Sequence, residues 1–165
     1  MIVRRERPAD HEAVRALHDA AFGGPTEGRL TDELRADAGF LPHLSLVAVE
    51  GDDVVGHVVA TRGRIEPAGV AALGIGPVAV RPGRQRGGVG TVLVHALLAV
   101  AEAAGERLAA LLGSPDYYRR FGFVAAAGLR ITAPEPAWGA HFQARHLNGP
   151  PVMGSFRYAE PFNRL

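Results

Sequence analysis

Residues 73–97 read Leu-Gly-Ile-Gly-Pro-Val-Ala-Val-Arg-Pro-Gly-Arg-Gln-Arg-Gly-Gly-Val-Gly-Thr-Val-Leu-Val-His-Ala-Leu: an apolar strand, a turn rich in glycine and arginine, then an amphipathic helix. That order builds a phosphate cradle. The turn Gln85-Arg86-Gly87-Gly88-Val89-Gly90 has little side-chain bulk. Its main-chain N–H groups can therefore reach an anion lying on the positive end of the following helix dipole. Arg81, Arg84 and Arg86 bring positive charge to the same spot.

Two other phosphate loops are excluded by the residues themselves. The nucleoside-triphosphate loop needs a lysine after its last glycine, and the chain has no lysine. A dinucleotide fingerprint over Gly74-x-Gly76-x-x-Ala79 would need a helix opening at that turn. Val78-Ala79-Val80 is instead β-type sequence bracketed by Pro77 and Pro82, so no helix starts there.

The pattern Gln85-x-x-Gly88-x-Gly90 after a Val-Ala-Val strand resembles the acetyl-coenzyme A signature of the GNAT superfamily of N-acetyltransferases. A second stretch, Leu111 to Phe123, runs from a buried strand into a short helix closed by Gly122; its Tyr118, Gly122 and Phe123 match the family's Tyr-x-x-x-Gly-Phe pattern. The ending Phe156-Arg157-Tyr158-x-x-x-Phe162 looks like a small branch of bacterial acetyltransferases.

The resemblance implies acetyl-coenzyme A as cosubstrate, with Gln85, Arg86, Gly87, Gly88, Val89, Gly90 and Thr91 on its diphosphate. It places Val78, Ala79 and Val80 along the pantetheine arm, with Ser114 and Tyr118 closing the other side. The Val78 N–H would face the acetyl carbonyl and hold the oxyanion, and Tyr118 would be the general acid for the leaving sulfur. The plainer alternative is that Tyr118 only packs on the coenzyme. Pro77 has no N–H for a ladder, so a bulge is expected there. In the resembling family such a bulge parts the fourth strand from the fifth.

The family often carries a glutamate base on the fourth strand, but Leu73 to Val80 holds no acid. His57 on the preceding strand and Glu66 at its end are the nearest titratable candidates, and His57 has the better intrinsic pKa. A structural histidine is the alternative reading. The seven histidines form no His-x-His or His-Glu-x-x-His pattern, so no metal site is expected.

At 165 residues the chain is long enough for one full core and too short for two, so residues 1–165 are expected to form a single domain. The expected class is α/β (α+β): a mixed twisted sheet with a splayed fourth and fifth strand and flanking helices. Formal net charge is +1, so no global field favours nucleic acid or an acidic membrane. The absence of cysteine removes disulfides and an acyl-cysteine intermediate. Met1 to Pro8 lacks the apolar core of a secretory signal, and no apolar run approaches the ~20 residues of a membrane span. A cytoplasmic protein, monomer or homodimer, is the expectation.

Periodicity predicts strands at Ile2–Arg5, Leu44–Glu50, Val54–Ile65, 71–80 and Leu108–Leu112, with short ones near Leu129–Ile131 and His141–Leu147. It predicts helices from Pro8-Ala9-Asp10 to Gly23, over Glu27–Ala36, and over Val89–Ala104 with a stripe of Val89, Leu93, Leu97, Val100 and Ala104. Tyr117 would point away from the site. Loops 23–43 and 133–151, carrying Phe40, His43, Trp138 and His141, would shape a pocket for an unidentified amine.

Two other function classes fit parts of the chain. A non-catalytic acetyl-coenzyme A sensor would use the same cradle. A nucleic-acid patch would use Arg81, Arg84, Arg86, Arg119 and Arg120, but no aromatic residues interleave with most of them and the net charge is near neutral.

Overall fold

The computed structural model describes residues 1–165. The strands are β1 Ile2–Arg5, β2 Phe40–Glu50, β3 Asp53–Glu66, β4 Val70–Val80, β5 Leu108–Leu112, β6 Val124–Ala125, β7 Ile131–Thr132, β8 Phe142–His146 and β9 Gly154–Arg157. These nine form one mixed sheet in the order β1-β2-β3-β4-β5-β8-β6, with β9 pairing β3 and β7. The helices are α1 His11–Phe22, α2 Thr26–Ala36, α3 Val89–Ala103 and the short α4 Pro115–Tyr118. No helix is long and apolar enough to cross a membrane.

Strand alternation divides the core. Leu73 and Ile75 of β4 pack with Leu93, Val94, Leu97 and Leu98 of α3 on one face. Ala72 and Ala79 look the other way, Ala72 into a cluster with Phe142 and Phe156 and Ala79 against Val14 and Leu17 of α1. Leu30 and Leu34 of α2 complete that second face with Ala159. Full burial of each large aliphatic side chain contributes roughly 1.5–3 kcal/mol, so α3 is held by its side chains and its N-terminus is fixed against the sheet.

The expected helices and long strands are present with small shifts. α1 ends where Gly23 takes φ +73°, and α2 ends at the extended Asp37. The stripe of α3 is wider than expected: Val94, Leu98 and Ala101 are buried, whereas Ala104 is exposed and caps the helix. β2 begins four residues early because the register shift between Phe40 and Ser45 takes up Pro42 without a ladder bond. Leu129 belongs to a 3-10 turn, and β9 has no counterpart among the expected strands.

Candidate active site

β4 and β5 run parallel and pair at only two positions, Leu73 with Ala109 and Gly74 with Ala110. Beyond that rung β4 continues through Val80 and β5 to Leu112 without further pairing, which forks the sheet as expected. The cause lies at Gly76-Pro77. The β3–β4 register jumps from Ala60–Ile75 to Val58–Val78, so β4 carries one residue more than its partner, a bulge that bends the strand. Gly76 sits at φ +134°, a conformation that other residues avoid.

Beyond the bulge the ladder fixes which groups face the gap. The Arg81 N–H donates to the Val55 carbonyl at 2.9 Å, so by alternation Ala79 also turns to β3. Val78 and Val80 then direct their N–H groups away from β3, into the fork. The Gln85 amide donates to the Val80 carbonyl at 3.2 Å and ties the following turn to this edge.

Within that turn, no protein oxygen accepts from the N–H of any residue from Gln85 to Thr91. Seven consecutive main-chain donors are thus free at the N-terminus of α3, where the helix dipole is positive. Gly88, at φ +88°, makes the reversal into the helix and Arg86 takes φ +62°. The arginines divide differently from the sequence expectation. Arg81 pairs with Asp53 at 3.3 Å and Arg84 with both oxygens of Glu50, leaving Arg86 as the cation of this turn without a carboxylate partner. Two of the three charges are therefore largely compensated in place.

Ser114 opens α4, its carbonyl accepting from the Tyr118 N–H at 3.0 Å. The Tyr118 ring then lies on Gly113, so closely that a Cβ there would collide with the ring carbons. Burial, with Tyr117 beside it, pushes the Tyr118 phenol up to about 12. It is protonated at neutral pH. Tyr117 does not point away: its hydroxyl lies 3.3 Å from Thr91 Oγ1 in the first turn of α3, and Arg120 covers its ring at 4.5 Å.

The fork opens into a cleft of about 840 Å³ lined by Gly76, Pro77, Val78, Ser114 and Tyr118 on the strand side. Its far wall comes from Phe22, Glu27 and Leu30 together with residues 134–165, including Glu135, Trp138, Arg157, Tyr158 and Phe162. Trp138 is where the sequence placed it; Phe40, His43 and His141 do not line the cleft. The Tyr158 ring rests on Gly74, at the last rung before the fork: a Cβ on Gly74 would stand 2.6 Å from Tyr158 Cδ1. Burial raises the Tyr158 phenol as well. Neither Tyr118 nor Tyr158 spends its hydroxyl on a protein partner. A smaller depression of about 410 Å³ beside Arg130 shares no residue with the cradle.

His57 is corrected by its surroundings. It is fully buried between β3 and α1, off the cleft. Ser45 Oγ donates to Glu6 at 2.7 Å, so it accepts from His57 Nε2–H at 3.0 Å; His57 Nδ1 then accepts from His18 Nε2–H at 2.9 Å. Glu6 is held by Arg35. Desolvation, followed by the Arg35 charge, lowers His57 to about 3, and His18 falls to about 3 from burial and then the neighbouring His57. His57 is a structural, neutral histidine with no path to an amine. Glu66 also lies away from the cleft, at the β9 end of β3. No three His, Asp or Glu side chains come together as a metal group.

The carboxylates that do reach the cleft, Glu27 and Glu135, were missed. The i, i+3 spacing of Glu27 and Leu30 on one helix face was the available signal for the first.

Comparisons agree with this geometry. A family profile described as an acetyltransferase (GNAT) domain matches residues 3–126. The chain is 32% identical over 171 residues, covering all of both chains, to the uncharacterized N-acetyltransferase YhbS of Escherichia coli K12. The crystal structure of YhbS from Escherichia coli in complex with CoA superposes with a TM-score of 0.92 at 29% identity, over 99% of this chain and 92% of that one. A GNAT family acetyltransferase from Brucella melitensis in complex with acetyl-CoA gives 0.82 at 35% identity, over 98% and 97%.

Proposed function

The chain belongs to the GNAT family of N-acetyltransferases, and from that premise we propose that it moves an acetyl group from acetyl-coenzyme A to a primary amine by direct attack on the thioester. The observation that carries this reading is the forked β4–β5 pair lying next to seven unpaired main-chain donors. A diphosphate would take its hydrogen bonds from Gln85 to Thr91, with Arg86 supplying charge. The pantetheine amides would meet the edge of β4 at Val78 and Val80, satisfying groups that the fork leaves without a strand partner. The residues present therefore fit the coenzyme that the two relatives hold, CoA in one and acetyl-CoA in the other.

Acetyl-coenzyme A supplies the activated acyl carbon. The chain supplies orientation and charge placement. The acceptor enters as an ammonium ion and must lose one proton to solvent before attack. Its nitrogen then bonds to the acyl carbon as the carbon–sulfur bond breaks. The Val78 N–H faces the developing oxyanion, a contribution worth about 2.7–4 kcal/mol for one such donor. Tyr118 gives its phenolic proton to the departing sulfur and is refilled by the second nitrogen proton. The products are the amide, coenzyme A as thiol, and one released proton.

Thiol release from acetyl-coenzyme A across a panel of primary amines tests the reading. Amine-dependent release supports it. Tight coenzyme binding with no amine-dependent release assigns the fork to a sensor instead.

A further inference from the structure

Resting on the transferase reading, the acceptor half of the cleft narrows the substrate class. We propose that the acceptor is a primary amine on an apolar or aromatic body without a neighbouring carboxylate, its nitrogen held between the Glu27 carboxylate and the Tyr158 hydroxyl.

Glu6, Asp10, Glu50 and Glu106, all buried or half-buried, each face an arginine. Asp19, Asp37 and Glu66 are half-buried without an arginine but lie off the cleft, whereas Glu27, half-buried with neither an arginine nor a hydrogen-bond donor on its carboxylate, lines it. A carboxylate left without a cation inside an apolar-lined cleft is placed to receive one from a ligand. The other charged side chains that line the cleft, Glu135 and Arg157, are exposed to solvent.

Glu27 and Leu30 share one face of α2, and Leu30 packs with Ala159 and Phe162. The same packing draws Tyr158 to this wall. Tyr158 is fixed by Phe156 at 4.8 Å, Phe162 at 4.7 Å and Trp138 at 6.4 Å between ring centroids. Phe22 of α1 completes the aromatic lining. Aromatic rings favour an ammonium and an apolar body together, and no buried cation lines the cleft to receive a carboxylate. The Tyr158 hydroxyl, which also lines the cleft and has no protein partner, is free to be a second partner of the nitrogen. This wall lies largely in residues 127–165, beyond the segment that the family profile matches. On transfer, Glu27 accepts the proton that the ammonium sheds and passes it to water. The nitrogen–carbon bond then forms and the carbon–sulfur bond breaks as described above.

The test uses 2-phenylethylamine and phenylalanine, which differ by one carboxylate. Trp138 is the only tryptophan in the chain and lines the cleft, so its emission reads acceptor binding to the coenzyme A-loaded protein without turnover. With acetyl-coenzyme A, 2-phenylethylamine is expected to show a kcat/KM at least ten times that of phenylalanine. Glu27→Gln should lower that value at least tenfold, weaken the Trp138 titration by a similar factor and shift the pH profile. Tyr158→Phe should raise KM more than it lowers kcat. Both variants should keep their coenzyme A affinity. Equal or better turnover of phenylalanine, or Glu27→Gln with titration and kcat/KM both unchanged, overturns the proposal. Should no amine release thiol, the transferase reading fails, and the Trp138 titration still decides whether the cleft takes the ammonium.

Discussion

Tyr158 rests on Gly74, so that a Cβ on this glycine would come within 2.6 Å of the ring. The contact sits at the rung where β4 last pairs with β5, and it couples the acceptor wall to the fork. Gly74→Ala has no soft neighbour to push, because the ring is boxed in by Phe142, Phe156 and Phe162. The expected cost is about 1–3 kcal/mol of overpacking, read as a lower urea midpoint, together with a raised KM for the acceptor.

Tyr118 is protonated throughout the neutral range, held high by burial, and its ring lies on Gly113 at the β5 side of the fork. Tyr118→Phe keeps the packing and removes the proton. It should lower kcat by about a hundredfold, at the lower end of general acid catalysis, with coenzyme A affinity within twofold of the parent. An unchanged kcat would leave Tyr118 as a packing residue.

The arginines of the turn should separate by their partners. Arg84 is already engaged with Glu50, whereas Arg86 has no carboxylate. Arg86→Ala should weaken acetyl-coenzyme A binding by about tenfold, the scale of one charge-assisted hydrogen bond. Arg84→Ala should change it by less than about threefold. Calorimetric titration at two salt concentrations checks both, with Arg86→Ala also flattening the salt dependence.

Acid should act on the buried histidines. His18 and His57 are held neutral in the fold, each near 3, against about 6.5 in an unfolded chain. Between those values the unfolded state binds the extra protons, so stability is full above pH 6.5 and falls as the pH drops. From pH 6.5 to pH 5 each histidine should cost about 1.6 kcal/mol, seen as a falling urea midpoint. His57→Gln should flatten that slope and leave the pH profile of kcat/KM unmoved, because His57 does not reach the cleft.

The fork and the turn were legible because both are local. A proline inside an apolar run, then glycines opening a helix, dictate their geometry within about fifteen residues of chain. His57 was misread because alternation along β3 tells which residues share a face and not which face meets the cleft. Arg81 and Arg84 looked free because Asp53 and Glu50 belong to a different hairpin. The acceptor wall escaped for the same reason: β9 returns to pair with β3 across most of the chain, a long-range contact that no periodic pattern announces. Glu27 entered the cleft because α2 packs on residues 159–162, again a tertiary fact.

Main-chain donors that hold a diphosphate beside a parted strand are the basis of the proposed chemistry. Residue-resolved amide hydrogen exchange, with and without acetyl-coenzyme A, reads those donors directly. Exchange should slow at least tenfold at Gln85 to Thr91 and at Val78 and Val80 together when the coenzyme is added, with the β3-facing Ala79 little changed. Unaltered exchange across the turn and the β4 edge, under conditions where the coenzyme is bound, would contradict it.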